Sequence, residues 1–494
     1  MAKIAARALY LQKKGDNAAM ANYVCDELVS LGGIYIKFLQ GVMLQSEFFK
    51  QWSSPNRLNI FENLDSELIN ISSVLKSELG PSKLANISQI QPQPFAAGSF
   101  GQVYYGTLKD GTPIIVKVLR PLVRETLQFD LKLIGIFSKQ FFKKLYENVQ
   151  INPDVAIKEF KRASLNETDY IAEADFANEL YLAYQNDTQL LIPKTYLNLC
   201  TKNIIIQEYI GGISAAQLIK QQEKGFDPYT YVKDSLGSDL DLQLIELGVQ
   251  YFYGMFTLPR IQGDPHPGNV KLLTNNQVGL IDFGISAPAP KDKPAFFGLI
   301  KEYSNIYVGK LDIEELFGRF LKVFANDLYN AFRKLNEVRD SGEDGDLTKT
   351  IGRLANKTFM SKYKNDNSLS MMNDPNIIKL INRVVNDQNR FGIELSLEST
   401  EMLRAAQTYI NLVESLGRKD QVLPVVFKNA IDKLELEHPD LTIENSSNMT
   451  MARAINIITK WLERVANRDP VLFRKLISHV RGNGNLDKFE KESS

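Results

Sequence analysis

The sequence is poor in residues that form disulfides or bind soft metals. Cys25 and Cys200 are its only cysteines, and His266, His438 and His479 are its only histidines. Two cysteines so far apart give neither a disulfide framework nor the paired spacing of a zinc site. We therefore expect a protein of a reducing compartment whose chemistry does not depend on thiolate ligands or on a histidine-rich metal site.

A surplus of one charge and a long apolar run are missing as well. Lys plus Arg and Asp plus Glu both total 58 among 494 residues, so the formal net charge is zero. Nucleic acid is not the expected partner, because its binding usually requires a basic surplus.

No stretch reaches the roughly 18 uninterrupted apolar residues of a membrane span. The basic opening MAKIAARALYLQKK is more typical of a solvated helix than of a lipid-binding one. We expect a cytoplasmic protein with at most a peripheral contact to a membrane surface.

Four regions of different character follow one another. Residues 1–90 show amphipathic helical spacing, and residues 91–212 combine strand-like segments around a Lys-Asp-Gly turn with inserted helices. Residues 213–300 read as helices followed by a hairpin, and residues 301–494 are patterned almost wholly as helices. We predict an α+β class with a bilobal protein-kinase-like fold: an N-terminal helical extension, a small strand-containing N-lobe, a C-lobe catalytic core and a C-terminal helical region.

The segment AAGSFGQV at 96–103 resembles a glycine-rich phosphate loop between two strands. It follows the pattern G-x-G-x-x-G-x-V, with Ala96 at the first glycine. Glycine lets the backbone approach phosphates where a side chain would collide with them. One glycine turn alone is a weak signal. We predict that a bound nucleotide contacts the following residues of this segment: Ala97, Gly98, Ser99, Gly101 and Val103.

A lysine follows on the next strand, in IIVKV. Its β-branched neighbours predict a strand buried on both faces, so Lys117 needs an acidic partner. The stretch EFKRASLNETDYIAEADFANEL at 159–180 offers several carboxylates. On one continuous helix Glu167 and Glu173 would lie about 240° apart, whereas Asp169 and Glu173 would share a face. One face can therefore reach Lys117 while another faces a different partner.

The stretch IQGDPHPGNVKLLTNNQVGLIDFG at 261–284 holds three polar residues around a predicted hairpin. In phosphoryl transfer one carboxylate orients the acceptor, while an asparagine and a second carboxylate hold Mg²⁺. Asp264 fits the first role, and Asn269 and Asp282 fit the second. His266 is better explained as a structural loop residue. The order of loop, strand lysine and acidic hairpin predicts machinery that uses ATP and Mg²⁺.

These motifs resemble the UbiB (AarF) family of atypical protein-kinase-like proteins, over residues 30–290. The shared motifs are DPHPGN, DFG, VKVLRP and ETDYIAEADFAN. The resemblance implies that Glu173 pairs with Lys117. It also implies that Glu167 faces a lysine and a glutamine in an N-terminal helix that covers the active site. In this sequence they correspond to Lys37 and Gln40 in IKFLQ. The resemblance places Asp169 in the same regulatory motif.

The sequence departs from the family pattern at three points. We expect no membrane-spanning helices in the C-terminal portion, although some members of the family have them. Leu39 replaces the glycine of the family's KxGQ motif, and Gly98 stands where alanine is common. The family is associated with ubiquinone and other isoprenoid-lipid pathways. The resemblance therefore implies a nucleotide as ligand, and a lipid surface or quinone-pathway proteins as partners. We also predict an adenine-side hinge at Glu208, Tyr209 and Ile210.

Three other functions share parts of this sequence pattern. An ordinary protein kinase is disfavoured, because Gly263 precedes Asp264 in place of arginine and no Ala-Pro-Glu follows the Asp-Phe-Gly motif. A small-molecule phosphotransferase of the aminoglycoside or choline kinase sort stays open, since its catalytic loop also reads Gly-Asp. A catalytically inactive kinase-like scaffold stays open as well, although Lys117, Glu173 and Asp282 are all present.

Overall fold

The computed structural model describes residues 2–39, 68–98, 100–145, 153–310, 312–338, 397–443 and 449–474. Two predicted site residues, Gln40 and Ser99, lie outside the described residues. The described strands, in chain order, are β1 (Ile87–Ile90), β2 (Ala96–Ala97), β3 (Gly101–Leu108), β4 (Pro113–Leu119), β5 (Leu190–Leu191), β6 (Ile204–Glu208), β7 (Ile213–Ser214), β8 (Arg260–Gln262), β9 (Val270–Leu272), β10 (Val278–Leu280) and β11 (Ser286–Pro288).

Helices occupy most of the remaining described chain. The α-helices of its first part are α1 (Ala2–Lys13), α2 (Asn17–Leu31), α3 (Gly33–Phe38), α4 (Ile71–Leu84), α5 (Val123–Leu145), α6 (Pro153–Asn166), α7 (Tyr170–Tyr184), α8 (Ala215–Glu223), α9 (Pro228–Leu236) and α10 (Leu240–Thr257). Those after the last strand are α11 (Lys293–Ser304), α12 (Ile313–Phe324), α13 (Asn326–Val338), α14 (Leu397–Ser415), α15 (Lys419–Glu437) and α16 (Met451–Arg468). The predicted α+β class, with strands in the first part and helices after it, is confirmed.

The chain divides into two compact units. The first comprises Met1–Leu218, Asp234–Ser238 and Pro267–Ser286, and the second comprises the rest of the chain. The first unit contains β1 to β7 together with the hairpin of β9 and β10, whereas the second is built mainly from helices α10 to α16. The predicted boundaries of four domains stay a prediction.

The main sheet of the first unit has the strand order β1-β3-β4-β6, and β2 pairs with the start of β3 on the edge opposite β4. Burial alternates along β3, so one of its faces is fully covered and the other is only partly covered. The covered face packs against α4: Leu75 and Leu79 join Tyr104, Val116 and Ile206 in one cluster. The opposite, half-open face carries the lysine side chain of β4.

Helices α1 to α3 and α5 to α7 form a second cluster in the same unit. Phe38 and Tyr170 are buried in it together with Leu119 and Ile205 from the sheet. The Tyr35 hydroxyl also donates to Asp130 on α5 at 2.7 Å. The N-terminal helices are therefore packed against the half-open face of the sheet.

The predicted hairpin after residue 261 is confirmed as β9 and β10. The two strands pair antiparallel from Val270 opposite Leu280 to Leu272 opposite Val278. Asn275 and Asn276 form its turn with φ angles of 57° and 58°, a left-handed conformation that asparagine tolerates better than most residues. The hairpin joins β5 and β7 in a four-stranded sheet.

The second unit is centred on α10. Phe252 of α10 lies 4.8 Å from Phe427 of α15, measured between ring centroids, and the buried Tyr409 hydroxyl donates to the Leu244 carbonyl at 2.7 Å. Further along the chain, α13 packs on α16. Among the described residues, no helix combines the length and the apolar composition needed to cross a membrane.

Gly248 of α10 is required by this packing, and we expect Gly248→Ala to destabilise the protein. A Cβ there would lie 2.2 Å from the Tyr409 hydroxyl oxygen and 2.8 Å from Val426 Cγ1. Overpacking typically costs about 1–3 kcal/mol, which outweighs the helix-propensity gain of about 1 kcal/mol. The free energy of unfolding, measured by denaturant titration, should fall.

Gly298→Ala in α11 is the matched control for this prediction. A Cβ at Gly298 meets only the flexible end of Arg319, whose Nη1 would lie 2.8 Å away and can move. Its free energy of unfolding should stay at the wild-type value or rise by up to about 1 kcal/mol, because overpacking does not offset the gain in helix propensity. Equal effects of the two substitutions would contradict the packing argument.

Candidate functional site

A buried ion pair lies at the centre of the candidate site. Lys117 Nζ donates to Glu173 Oε1 at 2.7 Å, and the Glu173 side chain is only 3% exposed. Strand β4 places Lys117 between Val103 and Ile205 on the neighbouring strands, and α7 supplies Glu173. The predicted need of this strand lysine for an acidic partner is met by the structure.

A second carboxylate approaches the same ammonium. Asp282 Oδ2 lies 3.7 Å from Lys117 Nζ, and Asp282 Oδ1 accepts a hydrogen bond from the Gly284 N–H at 3.1 Å. Asp282 has a φ angle of 66°, which is uncommon for a residue other than glycine and is typical of functional sites where the surroundings impose the conformation. Its side chain remains 47% exposed, so the carboxylate is open to a ligand.

The three charges leave a local excess of one negative charge. Burial by itself lowers the pKa of Lys117, but Asp282 and Glu173 outweigh that effect and raise it. Burial raises the pKa of Glu173 against the opposing attraction of Lys117. One ammonium facing two carboxylates has a formal charge of −1 when all three are ionised, an arrangement that attracts a further cation.

Asn269 lies at the end of the β9–β10 hairpin nearest Asp282. Its carbonyl accepts from the Ile281 N–H at 2.8 Å, and Asn269 itself is 9% exposed. An amide and a carboxylate held at adjacent positions of one hairpin are oxygen donors suited to Mg²⁺. The described residues contain no cluster of three or more His, Cys, Asp or Glu that could hold a metal alone. Mg²⁺ sites commonly complete their shell with phosphate and water, so the donor set fits this ion.

The glycine segment forms the tip of a hairpin between β2 and β3. Ala97 pairs with Gln102, and the Gly98 N–H donates to the Gly101 carbonyl at 2.9 Å. A Cβ at Gly101 would lie 2.6 Å from the Tyr170 hydroxyl oxygen and 2.7 Å from the Val118 carbonyl oxygen. Glycine is therefore required at this position by the neighbours beneath the hairpin.

The predicted hinge follows β6 directly. The Tyr209 N–H donates to the Pro113 carbonyl at 2.9 Å, and the Tyr209 ring lies 5.2 Å from that of Tyr105. Two glycines let this segment approach the β9–β10 hairpin closely. A Cβ at Gly212, where φ is 81°, would lie 2.2 Å from the Leu272 carbonyl oxygen, and one at Gly279 would lie 2.9 Å from Ile210 Cγ2. Glu208 ends β6 opposite Ile114.

Asp264 belongs to the second unit, where a glutamine that the motif analysis did not single out holds its backbone. The Asp264 N–H donates to Gln262 Oε1 at 3.0 Å, and Gln262 Nε2 donates to the Asp264 carbonyl at 2.9 Å. Gln262 is 2% exposed and its own carbonyl accepts from the Tyr251 hydroxyl at 2.7 Å. In the sequence, only the position of Gln262 two residues before Asp264 could have indicated this role. Whether Asp264, Asn269 and Asp282 act together stays a prediction.

Lys37 on α3 contacts two elements of the site. Its ammonium forms an ion pair with Glu167 and lies 4.5 Å from the centroid of the Phe100 ring in the glycine segment. Burial lowers the pKa of Lys37 to about 8, although Asp282 opposes the shift. The direct contact with Glu167 also favours the charged form, so Lys37 is a cation at neutral pH.

The expectation of one continuous helix through the acidic stretch is wrong. Helix α6 ends at Asn166 and α7 begins at Tyr170, so Glu167 lies in the break between two helices. Asp169 is the N-cap of α7, and its carboxylate accepts from the Ala172 N–H at 3.1 Å. Glu167 and Glu173 do contact different lysines, Lys37 and Lys117. They are separated by the break between the two helices and not by their angular positions on one helix.

A family model matches the segment that carries the glycine loop, the ion pair and the hairpin, over residues 63–303. The model is that of the ABC1 atypical kinase-like domain, which this segment therefore resembles. The predicted kinase-like fold and the resemblance to the UbiB family are thereby confirmed. The predicted site residues from Ala97 to Asp282 lie inside the ABC1-like domain, whereas Lys37 and Gln40 precede it.

Relatives of the domain occur in plants and bacteria. Protein ACTIVITY OF BC1 COMPLEX KINASE 1, chloroplastic, of Arabidopsis thaliana is 30% identical over 213 residues, which cover 43% of this chain and 29% of that protein. The probable protein kinase UbiB of Vibrio cholerae is 24% identical over 275 residues, covering 54% of this chain and 47% of that protein. The matches thus span less than half of the length of these relatives.

A solved structure is similar over a longer stretch. The complex of Rv3197 with erythromycin from Mycobacterium tuberculosis matches 76% of this chain and 83% of its own chain, at 19% identity and a TM-score of 0.43.

We expect Glu173→Leu to destabilise the protein strongly, because it leaves the Lys117 ammonium without its nearest partner. Removing one member of a buried pair costs about 3–5 kcal/mol, and Asp282 at 3.7 Å offsets part of that. The double variant Lys117→Met/Glu173→Leu should be more stable than Glu173→Leu, since no unpaired charge remains. Denaturant titration of both variants measures the difference.

The control for this cycle is Asp175→Leu, at an exposed position two residues further along α7. It should change the free energy of unfolding little, with or without Lys117→Met. A double variant whose effect equals the sum of the two single effects would show that Lys117 and Glu173 are not coupled.

Proposed function

We propose that the chain is an atypical kinase or ATPase of the UbiB type that binds ATP with Mg²⁺ and transfers or hydrolyses its terminal phosphate. The observation that carries this proposal is the Lys117–Glu173 pair with Asp282 beside it. A lysine fixed by a buried glutamate is a suitable ligand for nucleotide phosphates, and the adjacent carboxylate supplies the oxygen that a metal ion needs.

Each predicted residue has a role in this proposal. The glycine segment with Ala97, Gly98, Ser99, Gly101 and Val103 covers the phosphates, and the hinge of Glu208, Tyr209 and Ile210 receives the adenine. Asn269 and Asp282 hold Mg²⁺, which when bound neutralises the charge of the phosphates. Asp264 orients the acceptor, and the Gln262 carboxamide fixes the backbone from which Asp264 extends.

The N-terminal helices regulate this site in our proposal. Lys37 contacts Glu167 directly and lies over Phe100, so α3 holds the glycine segment from one side. Gln40 and Asp169 belong to the same regulatory motif. An ion pair and a cation–π contact of this kind are weak enough to open when a partner or ligand competes for Lys37.

An anionic lipid surface is the partner class that one feature of the chain supports. Helix α1 carries no acidic residue, and its exposed Lys3, Arg7 and Tyr10 recur at helical spacing, with Lys14 directly after the helix. Arg7 and Lys14 both lie over the Tyr10 ring, at 5.6 and 4.8 Å. In this proposal the protein works at the periphery of a membrane, where isoprenoid-quinone substrates and quinone-pathway proteins reside.

The two other function classes differ from this one in simple observables. A small-molecule phosphotransferase would turn over ATP only when its acceptor is present, and lipid vesicles would have no effect. A catalytically inactive scaffold would bind nucleotide without a requirement for Mg²⁺. The complete set of Lys117, Glu173 and Asp282 supports the catalytic proposal.

We expect Mg²⁺-dependent ATP turnover by the purified protein that rises with anionic vesicles and disappears in Asp264→Asn. Asp282→Asn should weaken Mg²⁺-dependent ATP binding by about 100-fold, because a metal ligand is lost, while its melting temperature stays near wild type. Asp175→Asn, an exposed acidic position on α7, is the control with the same charge change. Unchanged Mg²⁺-dependent affinity in Asp282→Asn would contradict the metal assignment.

Lys37→Ala should raise nucleotide affinity or turnover by about three- to tenfold, because it removes the contact of α3 with Glu167 and Phe100. Glu167→Ala should have the same effect through the other member of the pair. Exposed Lys76 on α4 provides the control substitution Lys76→Ala, which should change neither quantity. If Lys37→Ala left both affinity and turnover at the wild-type level, α3 would not regulate the site.

A further inference from the structure

The tip of the glycine hairpin is bound by a single arginine. Arg120 directly follows β4, and its Nε and Nη2 donate to the Gly98 carbonyl at 3.3 and 3.0 Å. The Arg120 backbone N–H donates to the Phe100 carbonyl at 2.8 Å. One residue therefore binds two carbonyls of the tip.

The remaining described carbonyl of the tip is also satisfied, since the Gly101 carbonyl accepts from the Gly98 N–H. A backbone loop binds phosphate by turning N–H groups toward the anion, and a carbonyl turned the same way would repel it. By engaging the Gly98 and Phe100 carbonyls, Arg120 prevents these peptide groups from turning their oxygens toward a phosphate.

The role of Arg120 differs from that of the next arginine. Arg124 donates to the Thr168 carbonyl at 2.6 Å and to Asn203 Oδ1 at 3.0 Å, so it connects α5 to the start of α7 and to the segment before β6. Arg120 is bound to the hairpin tip, and it directly follows the strand of Lys117, three residues further along the chain. The lysine and the loop are thus fixed by the same strand.

We infer that Arg120 is a positioning residue for the phosphates of a bound nucleotide, and that its guanidinium acts through the orientation of the Gly98 peptide, whose carbonyl it binds. This inference rests on the proposed nucleotide binding. It specifies that Arg120 governs the affinity for the phosphate part of the ligand and leaves the affinity for the nucleoside part unchanged. The planar guanidinium matters beyond its charge, because two of its N–H groups converge on one oxygen.

The test compares Arg120→Ala and Arg120→Lys with wild type, in full-length protein. Calorimetry measures the affinities for ATP with Mg²⁺, for ADP and for adenosine. Hydrogen exchange of peptides spanning 96–101 is measured without nucleotide. Lys109→Ala, in the exposed turn at the opposite end of the β3–β4 hairpin, removes the same charge away from the tip and serves as the control.

Arg120→Ala should weaken ATP binding by about ten- to hundredfold, the loss expected for a hydrogen bond that involves a charged group. Adenosine binding should be unchanged, and exchange at 96–101 should become faster. Arg120→Lys should recover only part of the ATP affinity, and Lys109→Ala should behave as wild type.

Three results would overturn the inference: an equal loss of adenosine and ATP affinity, full recovery in Arg120→Lys, or unchanged exchange at 96–101 in Arg120→Ala. The exchange measurement separates this inference from the proposed function. If wild type bound no nucleotide, the proposed function would fail, while faster exchange in Arg120→Ala would still show that Arg120 orders the tip.

Discussion

The candidate site depends on one constraint: a lysine ammonium on the half-open face of a sheet needs an acidic partner. Lys117 lies between the buried Val116 and Val118 of β4 and beside the buried Ile205 of β6, so its ammonium needs a partner within the protein. Glu173 meets that need and thereby fixes α7 against the sheet. Because α7 also carries Tyr170 beneath Gly101, the same contact sets the position of the glycine hairpin. The helix that pairs the charge of Lys117 therefore also positions the glycine hairpin.

Local patterns in the sequence predicted the parts of this arrangement that local chemistry determines. The Lys-Asp-Gly and Thr-Asn-Asn turns, with apolar arms on either side, predicted the two hairpins. The β-branched flanks of Lys117 predicted a lysine that needs a partner, but the predicted burial of both faces is wrong, because the face of β4 that carries Lys117 is only partly covered. The kinase-like class was predicted from the order of these motifs, since the loop, strand lysine and acidic hairpin each belong to a fixed place in such a fold.

Other parts depend on contacts between distant segments and could not be predicted in this way. The acidic stretch looked like one helix, but Asp169 caps a new helix and leaves Glu167 in a break. The segment before β6 holds an isolated bridge at Thr195 and a short 3₁₀ turn at Leu197–Leu199, which no local pattern indicates. Nothing in the local sequence marks Arg120 as a partner of Gly98, 22 residues away.

The close packing of the hinge on the β9–β10 hairpin affects which ligands the site can select. Gly212 and Gly279 leave no room for even one methyl group between the two segments, so they cannot slide past each other without a collision. The hinge would hold a base, and Asn269 and Asp282, at the far end of that hairpin, would hold a metal on the phosphates. The distance between base and metal is then built into the backbone. In the proposed function, this fixed distance would select ligands by the length between their ring and their charged end.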